Sequence, residues 1–421
     1  MDAYPTEPRL RDALRQTLDP EHGPHPVWTD SPAARRVAEH QRSRWPLRAI
    51  GAAAAVLVVA VVGWSGAGRQ NQAISAAPPF GPAGNGVIAL PKDGDILVAD
   101  RPGGEFRPLV TGADNDVSPI FSPDGTKIAY TRGGSLMVAD ADGTNVTRLT
   151  PDTLHADKWS FAPDGRSLVG VGLIDGEPAG PACESGNTPR RVLIRPVDPA
   201  APLRILDIPL WDSWMEVFES GVPRFRPTNP QQLIVVTALE PCGPRGIHVY
   251  DLATGAIRTL PVPDGYVSDV QWSPDGQFVS YDLMAEASTQ SRVVAVDGLV
   301  DRPLVSAPTT TLIHQVSPWS NDGTRIVIER GLLDGRHGLL PAVVNTSGDG
   351  RPVELDCGGS TNLPCADSWI WSPDDSTLIG STLIGSEAHT VLQADPETGE
   401  VRDLGWPIDL DDPRQWQRVA P

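Results

Sequence analysis

The chain has 421 residues, with 41 Gly, 43 Pro and a formal net charge of −19. That length supports a large core, and the turn-former content suits an all-β chain full of turns. Eight Arg and seven acids precede position 49, against 26 basic and 46 acidic residues after it, so the acidity belongs to the later region and argues against a nucleic-acid partner there.

Residues 1–46 are polar, Pro-rich and Arg-rich. Pro8 to Leu18 could form a short helix with Leu10, Leu14 and Leu18 on one side, and Ser31-Pro32 could cap a second. Neither has enough apolar surface to stand as a domain, and the segment is expected to be a disordered tail. Residues 47–68 are predicted to span a membrane once. Ala49 to Gly68 carries no charge over 20 residues, enough to cross about 30 Å of hydrocarbon as a helix. Arg35, Arg36, Arg42, Arg44 and Arg48 precede it and only Arg69 follows closely, which places the N-terminus in the cytoplasm and the later region outside. Trp45 and Trp64 bracket the span as interface anchors would. A cleaved signal peptide would need a charged region of about 48 residues, so a retained anchor is expected. Residues 69–85 form an Ala-, Pro- and Gly-rich linker.

From residue 86 one unit recurs. Phe121-Ser-Pro-Asp-Gly125 returns as Phe161-Ala-Pro-Asp-Gly165, Phe225-Arg-Pro-Thr-Asn229, Trp272-Ser-Pro-Asp-Gly276, Trp319-Ser-Asn-Asp-Gly323 and Trp371-Ser-Pro-Asp-Asp375. Ser at i, Pro at i+1 and Gly at i+3 write a type I turn between two strands. The aromatic positions stand 40, 64, 47, 47 and 52 residues apart, close to the roughly 40–50 residues of a four-stranded propeller blade. Apolar strands closing in acidic turns, as at Leu136–Gly143 and Val249–Gly255, supply a second marker. The repeats resemble those of the TolB-like, WD-repeat-like β-propellers of bacterial envelopes, over roughly residues 85–421. The resemblance implies the fold and little about activity, because such blades serve as scaffolds, sensors and enzyme appendages. TolB-like proteins carry a small α/β domain before the propeller; nothing comparable is read here, so no TolB-specific partner follows.

The first blade begins without its innermost strand. Gly86–Leu90, Gly94–Asp100 and Glu105–Val110 match the last three strands of a repeat, and Asp412–Val419, with Trp416 lying 45 residues past Trp371, is expected to supply the missing one. Six complete blades and one composite make seven. A six-bladed ring, the TolB-like number, is the alternative if the Phe225 unit is irregular.

All four cysteines fall in the region placed outside the membrane, where disulfides persist. Cys183 and Cys242 occupy equivalent positions in neighbouring blades, and Cys357 and Cys365 flank one short loop. These two pairs are the expected bridges, although four cysteines allow three connectivities. No nucleophile elbow, zinc-peptidase helix, phosphate loop or dinucleotide fingerprint occurs, so the chain reads as a binder without a cofactor rather than an enzyme. His155 and His314 precede innermost strands and read as solvated loop residues.

Asp116, Asp157, Asp269, Asp367 and Asp412 lie three to five positions before an anchor aromatic, at the channel mouth. Such a partial ring could hold a divalent cation or a cationic ligand; capping of loop amides is the plainer account of Asp there. Trp159, Trp272, Trp319, Trp369, Trp371 and Trp416 read as core. Trp211 and Trp214 lie in an interblade segment and could stack on a sugar or seat a peptide side chain, or else pack under the 175–190 insertion. The function expected is an extracytoplasmic recognition module or sensor that contacts an envelope protein or a wall-derived ligand, its tail reaching a cytosolic partner. A passive envelope scaffold is the alternative, and a hydrolase or lyase using the channel-mouth carboxylates is the third class.

Overall fold

The computed structural model describes residues 81–151, 154–174, 190–210, 223–238, 245–285, 288–305, 311–332, 340–348, 350–357, 366, 368–381, 390–407 and 415–420. The span expected over 47–68 and the tail before it lie outside the described residues. Among the described residues no helix is long and apolar enough to cross a membrane.

The described strands form seven four-stranded antiparallel sheets. Blade 1 pairs Gln415–Val419 with Gly84–Lys92, followed by Asp95–Ala99 and Arg107–Val110. Blades 2 to 7 follow in chain order over 116–148, 154–210, 224–259, 266–303, 311–354 and 368–407. This is a seven-bladed β-propeller. The C-terminal strand is the innermost strand of blade 1, and the Phe225 unit is a complete blade, so the six-bladed alternative falls.

The recurring unit forms the turn its residues specify. The amide of Gly125 donates to the Ser122 carbonyl at 2.8 Å, that of Gly276 to Ser273 at 2.8 Å and that of Gly323 to Ser320 at 2.9 Å. Each Ser hydroxyl also donates to the Asp two residues on, at 2.5 Å in Ser122–Asp124 and 2.6 Å in Ser273–Asp275. The corner is therefore closed by residues adjacent in sequence; in the Phe161 unit, where Ala162 replaces the Ser, the backbone bond from Gly165 remains at 2.9 Å.

Seven apolar clusters hold the ring, one at each junction between neighbouring blades. Ile234, Val236, Ile247 and Val249 of blade 4 meet Val267, Trp272, Val279 and Tyr281 of blade 5. Ile379, Val391 and Trp406 of blade 7 meet Ile88, Leu90 and Trp416 of blade 1, which joins the last blade to the first. The middle strands are covered on both faces by neighbouring blades, so Ile128, Ala129 and Tyr130 are buried at consecutive positions instead of alternating.

Candidate functional site

The innermost strand of each blade runs along the axis and carries its anchor aromatic, at its last residue in blades 2, 3, 5, 6 and 7. Side chains alternate along a strand, so an anchor turned into the blade junction sends its predecessor toward the axis. Trp272, Trp319, Trp371 and Trp416 are all buried, as are Trp159 and Trp369, the core role expected of all six. Three anchors also tie neighbouring blades together through their indole N–H. Trp272 donates to the Arg224 carbonyl at 3.1 Å, Trp319 to Ser280 Oγ at 2.9 Å and Trp371 to the Pro318 carbonyl at 2.9 Å. Arg226 lies over the Trp272 ring at 5.6 Å and Arg325 over Trp371 at 4.8 Å.

The predecessors are Ile120, Ser160, Arg224, Gln271, Pro318, Ile370 and Gln415. Each is partly or fully open, whereas every anchor except the half-buried Phe121 is buried. Two cavities lie against them. One, of about 210 Å³, is lined by Ser160, Arg224, Gln271, Trp272 and Pro123 among others, drawn from blades 2 to 5. Residues of four successive blades can meet only around the axis. The second, of about 180 Å³, shares Gln271 and Trp272 and continues past Pro318 and Trp319 to Asn321 and Arg418. Together they occupy the channel at its turn-bearing end.

Arg224 is the one charged predecessor. Its side chain is open to the lumen, yet protein surrounds it closely enough that desolvation lowers its pKa, with the charge of Asp269 opposing. An open lumen between protein walls accounts for both facts, and an arginine remains a cation there. Asp269 sits at φ 51°, in a bulge of the innermost strand of blade 5. Ser118 and Lys158 hold the equivalent positions in blades 2 and 3 at φ 54° and 51°. A bulge adds one residue and re-aims the strand end. It recurs three residues before the anchor, so it belongs to the blade plan.

Of the carboxylates singled out from sequence, two are described with their side chains. Asp116 is fully buried and binds Arg132 at two points, both at 2.7 Å, which raises the Arg132 pKa. Asp269 faces the charge of Arg224. Asp157 lies on an innermost strand with its side chain outside the description, and Asp367, Asp412, Trp211 and Trp214 lie outside the described residues. Among the described residues no group of three or more His, Cys, Asp or Glu is placed to hold a metal ion. Cys357 is buried and disulfide-bonded; Cys183, Cys242 and Cys365 lie outside the described residues, so its pairing is untested.

Arg224 escaped the sequence reading although a signal existed. Counting one position back from each anchor, rather than three to five, picks out the channel ring, and Arg224 is its one charge.

No protein-family model matches the chain, and no match to a curated protein was found. Solved structures share its fold. An oligogalacturonate lyase in complex with manganese aligns with TM-score 0.54 and 16% identity over 72% of this chain and 84% of that one. A puromycin-hydrolyzing peptidase of Mycobacterium tuberculosis aligns with TM-score 0.52 and 17% identity over 78% of this chain, which spans 54% of the peptidase. TolB from Acinetobacter baumannii aligns with TM-score 0.47 and 12% identity over 80% of this chain and 81% of that one. The similarity is one of fold.

Proposed function

We propose that the protein is a membrane-anchored recognition module that receives its ligand or partner at the central channel and does not catalyse. The observation that carries this is the pair of adjacent cavities around the axis, which share Gln271 and Trp272 and are walled in part by residues that precede the anchors. A concave site with a few convergent polar groups is the default place for a protein to receive a small ligand. Asp116 supports a binding role over acid–base chemistry, because both its oxygens are held by Arg132.

The uncharged stretch from Ala49 to Gly68, with arginines on one flank, supports a single span with the N-terminus in the cytoplasm and the propeller outside. The partner is then an envelope protein or a wall-derived ligand, and the Arg-rich tail is free to reach a cytosolic protein. In that oxidising compartment Cys357 pairs with Cys365 across their short loop, and Cys183 with Cys242.

A photo-crosslinking side chain placed at Gln271 of the full chain in intact membranes tests the reading. The control is the same group at Leu299, which is 84% exposed at a turn far from the channel lining. A discrete adduct from position 271 and none from 299 is expected. Adducts from 299 alone, or from neither, make the propeller a tethered scaffold.

A further inference from the structure

We propose that the channel is built to hold the oxyanion of a small ligand, a carboxylate or a phosphate group, between Ser160, Arg224 and Gln271. This rests on the recognition reading above and names its chemistry. The three residues precede the anchors of blades 3, 4 and 5, so three consecutive innermost strands deliver them to one wall of the same cavity. Each carries a donor: a hydroxyl, a five-donor guanidinium fork and a primary amide. Of the other predecessors, Ile120, Pro318 and Ile370 carry no side-chain donor and Gln415 of blade 1 does not line this cavity, so the donors in its wall come from three adjacent blades.

Charge points the same way. The region after the span is strongly acidic, yet the charge set into this cavity wall is positive. Asp269 lies two positions before Gln271 on the same strand, is not among the residues lining this cavity, and its charge opposes the desolvation of Arg224. A guanidinium with protein on its sides and an open lumen in front matches an incoming oxyanion, which it can bind through two parallel hydrogen bonds. The remaining lining is apolar: Phe161, Trp272, Pro123 and Pro163 offer ring faces and edges to the body of the ligand. A cavity of about 210 Å³ admits a body about the size of one ring. The ligand class is therefore a small, ring-bearing anion with its charged group toward blade 4.

Calorimetry on the full chain in detergent, with benzoate, inorganic phosphate and neutral benzamide as probes, tests this. Benzoate or phosphate should bind and benzamide should not. Tighter benzoate marks a carboxylate ligand and tighter phosphate a phosphate ligand; either supports the site. Arg224→Gln should weaken anion binding at least about tenfold, and Arg224→Lys, which keeps the charge and loses the fork, should fall between. Gln271→Glu puts a like charge beside the anion and should also abolish binding, which covers the case of an Arg224 variant that folds poorly. Absence of binding by both anions, equal binding of benzamide, or anion binding unchanged in both Arg224→Gln and Gln271→Glu overturns the proposal. An adduct at position 271 alongside any of these results leaves the recognition reading standing and removes only the anion.

Discussion

Asn321 stands where other turns of this chain carry proline, and Asp375 where they carry glycine. The two departures touch. Asp375 holds a left-handed φ of 61°, a strain of about 1–3 kcal/mol for a residue with a side chain. Its carboxylate accepts the Asn321 amide N–H at 2.6 Å, the Asn321 side-chain amide at 2.8 Å and the Asp322 N–H at 2.8 Å. A proline at 321 has no N–H to give. Asp375→Gly relieves the strain but strips the acceptor from two backbone N–H groups, and should destabilise by about 1–2 kcal/mol. Adding Asn321→Pro to it should recover part of that loss, giving a coupling of about 1 kcal/mol in a urea double-mutant cycle. Strict additivity would mean that the two turns act independently.

His248 makes a second residue-scale case, 5% exposed in the third strand of blade 4. Its Nε2 lies 3.0 Å from the Thr237 carbonyl, which can only accept, so Nε2 carries the proton and Nδ1 accepts from Thr259 Oγ1 at 3.0 Å. Burial lowers its pKa from the ordinary 6.5, with the hydrogen bond to Thr237 opposing. The unfolded chain therefore takes up the proton first as pH falls. The contribution of His248 is whole above about pH 6.5 and is lost as pH drops through the lower folded value. The urea midpoint should fall between pH 7 and pH 5, and fall less in His248→Gln. Equal pH dependence in the two proteins would assign the titration to another group.

At the scale of the strand and turn, legibility in the sequence follows the range of the forces. The Ser-Pro-Asp-Gly corner could be read directly because its hydrogen bonds join residues two to five positions apart, as in Ser273, Asp275 and Phe278. Trp272, Trp319 and Trp371 could be read because each ends a strand and precedes that corner. Middle strands were harder, since both faces are covered and alternation disappears. Trp406 shows the limit. It lies in the outer strand of blade 7 and packs on Phe106 of blade 1, ring centroids 4.7 Å apart at 53°, and no local pattern brings residues 300 positions apart together. The channel ring is an intermediate case. Its members follow from period-two alternation once the anchors are known to face the junctions, but that direction is fixed by neighbouring blades. The carboxylates chosen by offset gave one member, Asp116, buried against Arg132, and one, Asp269, whose charge acts on Arg224.

For the whole molecule, stability depends on closing a circle, and the last strand does so at several points. Trp416 Nε1 donates to the Gly86 carbonyl at 3.2 Å within blade 1, and Gln417 Nε2 donates to the Gly125 carbonyl of blade 2 at 2.7 Å. Arg418 reaches the side-chain carbonyl of Asn321 in blade 6 and the carbonyl of Gly81. Losing this strand exposes a sheet edge in blade 1 and opens the cluster between blades 7 and 1. Removal of residues 410–421 should replace the single melting transition with a broad one, and an unchanged transition would exclude closure by this strand. A point change separates closure from simple loss of chain. A Cβ at Gly125, where φ is +69°, would lie 1.8 Å from the Arg418 carbonyl oxygen; one at Gly134, at φ +82°, would meet nothing within 4 Å. Both alanines strain the backbone alike, but only Gly125→Ala pushes the closing strand away. It should cost more than Gly134→Ala in the full chain, and the difference should vanish once 410–421 are removed. If the difference persists in the truncated chain, Gly125 acts within blade 2 and the circle is held elsewhere.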